Sequence, residues 1–125
     1  MTKLENYLQS IFDYYKIKYH FDADLEFITD RDNCWSYKHK IEFSYNYLKF
    51  MYHTHRPEII KRHGNHNLLK FCVIVLLHEI KHLIDNKKHL LEYERSLGDC
   101  SLPHDEQPCE KRADFFANIE IKQWL

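Results

Sequence analysis

Leu4, Leu8, Ile11, Phe12 and Tyr15 recur at three- and four-residue spacing behind Thr2 and Glu5, a pair whose types and spacing form a capping box. This periodicity predicts a first helix over about 3–18. From Leu25 the period changes. The segments "LEFIT", "CWSYK" and "KIEFSY" are rich in β-branched and aromatic residues, and the turn-forming "DRDN" breaks them. In the last segment Ile41, Phe43 and Tyr45 alternate with Glu42, Ser44 and Asn46, which predicts one buried face and one wet face. The pattern gives a small antiparallel sheet of about three strands.

Further along, "HRPEIIKRHG" reads as a short helix with Pro57 in its first turn and Gly64 past its end. Asn65 or Asn67 then caps a longer helix reaching about residue 86. The first half of that helix is apolar on every side, which predicts a path through the middle of the fold. Over 87–108 Gly98, Pro103 and Pro108 interrupt any long helix and leave a polar connection. A last helix starts near Gln107 or Cys109 and runs almost to Leu125. The expected whole is one α+β domain over 1–125, with helices packed against one small sheet.

Charge narrows the function classes. Lys and Arg total 18 against 19 Asp and Glu, interspersed, which argues against broad attraction to nucleic acid or to an anionic membrane. The longest apolar run, 71–77, is too short to span a bilayer. The opening "MTKLENYLQS" is polar and amphipathic, unlike a secretion signal. Cys34, Cys72, Cys100 and Cys109 include no C-x-x-C pair, which predicts thiols and a cytoplasmic protein. Cys72 falls in the apolar helix as packing. The stretch "CSLPHDEQPC", with His104 between its cysteines, matches no common zinc spacing. The cluster His53, His55, His63 and His66 reads as solvated.

The run "LLKFCVIVLLHEIKHLID" poses the chemical question, because it places two histidines and a glutamate in a helix that otherwise reads as core. Ten histidines among 125 residues will sometimes fall four apart by accident. Inside a buried helix, however, imidazoles are costly unless their nitrogens find partners, and a metal ion supplies one. Residues four apart share a helix face, so His78 and His82 can address one cation. Glu79, rotated about 100° from His78, is placed as a general base beside the open position. A catalytic zinc needs a third protein ligand. In "CEKRADFFAN", Glu110, Ala113, Asp114 and Ala117 form one stripe that is acidic at one end and small elsewhere. Glu110 can then reach the metal, and the shorter Asp114 can accept a hydrogen bond from a ligand histidine. Phe115, Phe116 and Ile119 are expected to turn into the core. The alternative for the stripe is an ordinary amphipathic helix with solvated acids.

"HEIKH" followed by "EKRADFFA", with Glu110 28 positions beyond His82, resembles the H-E-x-x-H … E-x-x-A-[DN]-x-F-A signature of gluzincin-type zinc metallopeptidases. Their short forms are the ImmA/IrrE-like proteases and the minigluzincins. The resemblance implies a zincin-like fold and one Zn2+ per chain held by His78, His82 and Glu110. It makes Glu79 the catalytic base and Asp114 the acceptor that orients a ligand. It also implies a peptide or protein substrate laid along an edge strand around 41–45, and cleavage of peptide bonds. Tyr93 and His104 are candidates for polarising the substrate carbonyl. A transcriptional repressor encoded nearby is a partner by analogy. The rival reading is a zinc-bearing regulatory or binding protein that uses the same site structurally. Where many relatives carry glycine before the second histidine, this chain has Lys81.

Overall fold

The computed structural model describes residues 1–29, 34–36, 39–64, 67–98 and 101–125. The expected turn at "DRDN", the alternative cap Asn65, His66 and Cys100 lie outside the described residues. Helix α1 (Lys3–Tyr19) starts at the capping box: the Glu5 N–H donates to Thr2 Oγ1 at 3.1 Å and the Thr2 N–H to Glu5 Oε1 at 3.0 Å. Its buried face is Leu8, Ile11, Phe12 and Tyr15. At its far end His20 turns the chain with a left-handed φ of 55°. Lys87 Nζ donates there to the Tyr19 carbonyl at 3.2 Å and also to that of His20.

The sheet corrects the sequence expectation. Strands β1 (Asp24–Phe27), β2 (Trp35–Ser36) and β3 (Lys40–Phe43) lie in the order β1-β3-β2. The two longer strands pair in parallel, Asp24 opposite Lys40 and Phe27 opposite Phe43, and only the two-residue β2 runs antiparallel to β3. The domain is therefore α-rich, with a scrap of mixed sheet in place of an antiparallel sheet of about three strands. β3 is the central strand, so it is not the edge that the resemblance implied. Nor does it have a wet face: Glu42 is 5% exposed and Ser44 fully buried, while Tyr45 is 37% exposed. Flanking strands and the long apolar helix over 68–87 cover β3, and Ser44 has left the sheet to cap the next helix, its Oγ accepting the Tyr47 N–H at 3.3 Å.

That next helix, α2 (Tyr45–Thr54), was not foreseen. Its signal was present, since Leu48, Met51, Tyr52 and His55 stand at i, i+3, i+4 and i+7. Helix α3 (Arg56–His63) follows with Pro57 in its first turn, and Gly64 closes it at φ 79°, a value that favours glycine. Helix α4 (Leu68–Lys87) is capped by Asn67, whose Oδ1 accepts the Lys70 N–H at 2.8 Å. It buries residues on all sides through its first half, from Phe71 to Leu77. A short α5 (Leu90–Ser96) and a 3-10 turn (His104–Glu106) occupy part of what read as a polar connection.

Helix α6 (Pro108–Trp124) lies along α4, the most extensive helix pairing among the described residues. Ala113 and Ala117 are fully buried between the two, and their small side chains permit the close approach. Two of the three residues expected to turn into the core do not. Phe115 and Ile119 are 69% and 46% exposed, because Phe115 sits about 200° around the helix from Ala113. Phe116 packs at the core margin, its ring 5.7 Å from that of Tyr15. No helix among the described residues is long and apolar enough to cross a membrane.

Candidate metal centre

The pairing of α4 with α6 sets the site. His78 and His82, one turn apart on α4, bring their Nε2 atoms to 3.1 Å. The Glu110 carboxylate reaches across from α6, Oε2 at 2.8 Å from His78 Nε2 and Oε1 at 3.1 Å from His82 Nε2. One donor atom from each residue lies within 4.8 Å of the others, close enough to hold a metal ion. Ligand bonds of about 2.0–2.2 Å would put tetrahedral donors about 3.3–3.6 Å apart, so the cluster needs to open by only a few tenths of an ångström. The donor set also fits a cation chemically: two imidazole nitrogens facing each other beside a buried carboxylate need a proton or a positive ion between them.

Without an ion, a proton fills that role. Burial alone would push the His78 imidazole down, but Asp114 and Glu110, with Glu79 nearby, outweigh it and raise its pKa from 6.5 to about 9. Burial likewise would raise Glu110, yet the two imidazoles hold it well below the usual carboxylate range. Asp114 follows the same logic: burial opposes ionisation, and His78 and Arg62 overcome it and lower the pKa.

Asp114 connects the site to a third helix. The His78 Nδ1–H donates to Asp114 Oδ1 at 2.8 Å, and Arg62 Nε of α3 donates to Asp114 Oδ2 at 2.7 Å. Arg62 Nη1 also lies 3.5 Å from Asp105 Oδ1, which steadies the 3-10 turn ahead of α6. Behind the site runs a second polar cluster. Asp85, fully buried, accepts from Arg112 Nε at 2.9 Å, and Arg112 pairs with Glu94 of α5. Asp85 Oδ1 makes no hydrogen bond of good geometry, but the Lys81 ammonium is 3.0 Å away, so we regard that oxygen as paired by charge. Arg112 Nη2 has no hydrogen-bond partner among the described residues. This cluster accounts for Lys81 between the histidines: it neutralises Asp85 one turn further on and lies 5.7 Å from the centre of the Phe116 ring.

A cavity of about 430 Å³ opens beside His78, and Glu79, Asp114 and His104 face it. His104 Nε2 approaches Glu110 Oε1 to 3.2 Å. Tyr93, the other candidate for polarising a carbonyl, is 62% exposed on α5 and does not line the cavity. Glu106 is exposed in the 3-10 turn, whereas Glu110 is 7% exposed. Of the histidine cluster, His55 and His63 line the cavity, and His63 Nδ1 is 2.9 Å from Asn118 Oδ1. Cys72 is buried, and Cys109 lies 3.8 Å from Gln107 Oε1. Sequence reasoning missed Arg62 and the cluster of Asp85, Glu94 and Arg112. A buried acid four residues after Lys81, inside an apolar helix, was the available signal.

The geometry thus defines a metal-competent His-His-Glu cluster in an α-rich small domain. No family model matches the chain, and neither a curated protein nor a solved structure matches it.

Proposed function

We propose that this chain is a zinc-dependent endopeptidase of the kind its motifs resemble, acting in the cytoplasm on a peptide or on a regulatory protein such as a transcriptional repressor. The observation that carries the proposal is the convergence of His78, His82 and Glu110 within 4.8 Å of one another, with His78 and Glu79 lining the adjoining cavity. Two imidazoles and a carboxylate are the donor set of many catalytic zinc sites and leave a fourth position for water or substrate. When bound, zinc lowers the pKa of a coordinated water to about 7 and polarises a carbonyl oxygen.

This chain's own residues would supply the remaining steps. Glu79 takes a proton from the attacking water as its oxygen adds to the peptide carbonyl carbon, then delivers that proton to the departing amine nitrogen as the C–N bond breaks. Asp114 retains the Nδ1–H of His78, which keeps Nε2 turned toward Glu110. His104, which lines the cavity, would donate to the carbonyl oxygen.

One observation favours the second reading, a zinc protein without catalysis. His104 already touches the ligand carboxylate at 3.2 Å, from where a modest shift would make it a fourth protein ligand and close the site. Purified protein should carry about one zinc per chain, and His82→Ala should lose it. Glu79→Gln keeps the side chain's shape but cannot accept a proton, so it should keep zinc and fold while losing cleavage of a mixed peptide library by at least about 100-fold. Zinc-free protein after zinc-supplemented expression would remove the metal assignment. Wild-type protein that binds zinc but cuts nothing in the library would favour the closed, structural site.

A further inference from the structure

Three histidines outside the motif of α4, His20, His39 and His89, line a second cavity of about 260 Å³ at the C-terminal end of that helix. They come from separate parts of the chain: His20 ends α1, His39 precedes β3, and His89 opens α5. Their backbones are fixed. The His20 carbonyl accepts from Lys87 Nζ, the His39 carbonyl accepts the Asp24 N–H at 3.0 Å, and the His89 N–H donates to the Asn86 carbonyl at 3.0 Å. Their side chains lie in water and can turn, since all three residues are exposed. His20 and His89 are also the two non-glycine residues with left-handed backbone among the described residues, at φ 55° and 59°. Asparagine, aspartate and histidine tolerate that conformation best, and at both positions the chain uses the one of the three that most often ligates transition metals.

We propose that His20, His39 and His89 form a second metal site, weaker than the His-His-Glu centre, which takes a divalent late transition metal such as zinc, nickel or copper when that ion is in excess. The proposal is independent of the peptidase reading. Donor chemistry decides the class of ion: three imidazoles suit these metals, whereas magnesium and calcium require oxygen ligands. Asp22 adds a carboxylate on the same cavity. The Glu92 carboxylate lies 3.6 Å from His89 Nδ1, which suits Nε2 as the donor to a metal. Lys87 also lines the cavity, but its ammonium is held by the Tyr19 and His20 carbonyls at the negative end of the α1 dipole. Reach decides the affinity. Among the described residues only His78, His82 and Glu110 have donor atoms within 4.8 Å of one another, so the second site closes by turning three exposed side chains inward. Immobilising them weakens binding by roughly 10- to 1,000-fold relative to preassembled donors. Purified protein therefore keeps its one zinc, and the second ion binds only from solution.

The test titrates further zinc into zinc-loaded protein, read by calorimetry and by the ring C–H NMR signals of the histidines. A second event of one zinc per chain should appear, at least about 10-fold weaker than the first. The rings of His20, His39 and His89 should shift together in it. His20→Asn and His89→Asn, which suit the left-handed backbone, and His39→Asn should each weaken the second event by at least about 10-fold and leave the first unchanged. His82→Ala should lose the first event and keep the second. His53→Asn, which lines neither cavity, should change neither event. Absence of a second event up to millimolar zinc would overturn the proposal. So would losses in the three variants no larger than that of His53→Asn, the behaviour of solitary surface imidazoles, or a second event that shifts the rings of His55, His63 or His104 instead. The ring shifts of the wild-type chain require no substitution, so they decide the matter even where a variant fails to fold.

Discussion

Asp114 uses both carboxylate oxygens, one for the His78 Nδ1–H and one for Arg62, so the orientation of a metal-competent imidazole depends on a guanidinium one helix away. That ordering predicts a ranking of zinc affinities measured by competition with a chelator. Glu110→Ala, which deletes a donor, should be weakest. Asp114→Ala should lose about 10- to 100-fold, the usual cost of removing the acceptor that orients a ligand histidine. Arg62→Ala should fall between Asp114→Ala and wild type, because Asp114 remains but is less firmly held. Glu106→Ala should match wild type. A loss in Glu106→Ala as large as in Glu110→Ala would mean that the wrong glutamate has been assigned. The cluster residues were legible because i, i+4 spacing fixes a helix face whatever the fold. Arg62 was not, since "HRPEIIKRHG" shows a basic surface helix and nothing in it says what lies across from residue 62.

At the scale of elements, α4, α5 and α6 are joined by buried charge rather than by apolar packing alone. Removing Arg112 would strand Asp85 in the core with Lys81 as its remaining cation, and breaking a buried pair from one side costs about 3–5 kcal/mol. Arg112→Met should therefore lower stability by about that amount in urea unfolding, whereas Arg112→Met combined with Asp85→Leu should recover much of it; no recovery would mean that the charges are not paired as described. Helices α1, α3, α4 and α6 were readable because each carries its own start signal or period: the Thr2–Glu5 box, Pro57, Asn67 and the small-residue stripe of α6. The sheet was not. Whether "LEFIT" meets "KIEFSY" in parallel or antiparallel depends on the path of the chain between them, and local alternation carries no information about direction. Helix α2 was lost for a related reason: alternation through Ile41 and Phe43 continued by chance into Tyr45, where Ser44 had already ended the strand.

For the whole molecule, the site makes stability depend on pH in a way that zinc should reverse. The His78 pKa of about 9 in the folded, metal-free chain lies above 6.5, so its contribution is complete below pH 6.5 and disappears as pH rises through about 9, on the order of 3 kcal/mol. Glu110 and Asp114 have lowered values and act in the opposite sense, stabilising above their ordinary pKa values of 4.5 and 3.8 and failing as pH falls. With a chelator present, urea midpoints should therefore peak between about pH 4.5 and 6.5 and decline toward pH 9. Saturating zinc replaces the proton and should remove the alkaline decline. A flat chelated profile from pH 6 to 9 would show that His78 does not bear the extra proton. The arrangement also has a hereditary consequence. A single helix, α4, carries core residues, one wall of the cavity beside His78, both imidazoles, Glu79 and Asp85, each assigned to its job by angular position alone. Substitutions at such a helix act one at a time, but inserting or deleting one codon between Val75 and His78 would turn everything beyond it by about 100° relative to everything before it. Lineages of this chain can thus drift in composition along α4, while changes of length should be confined to the segments between helices.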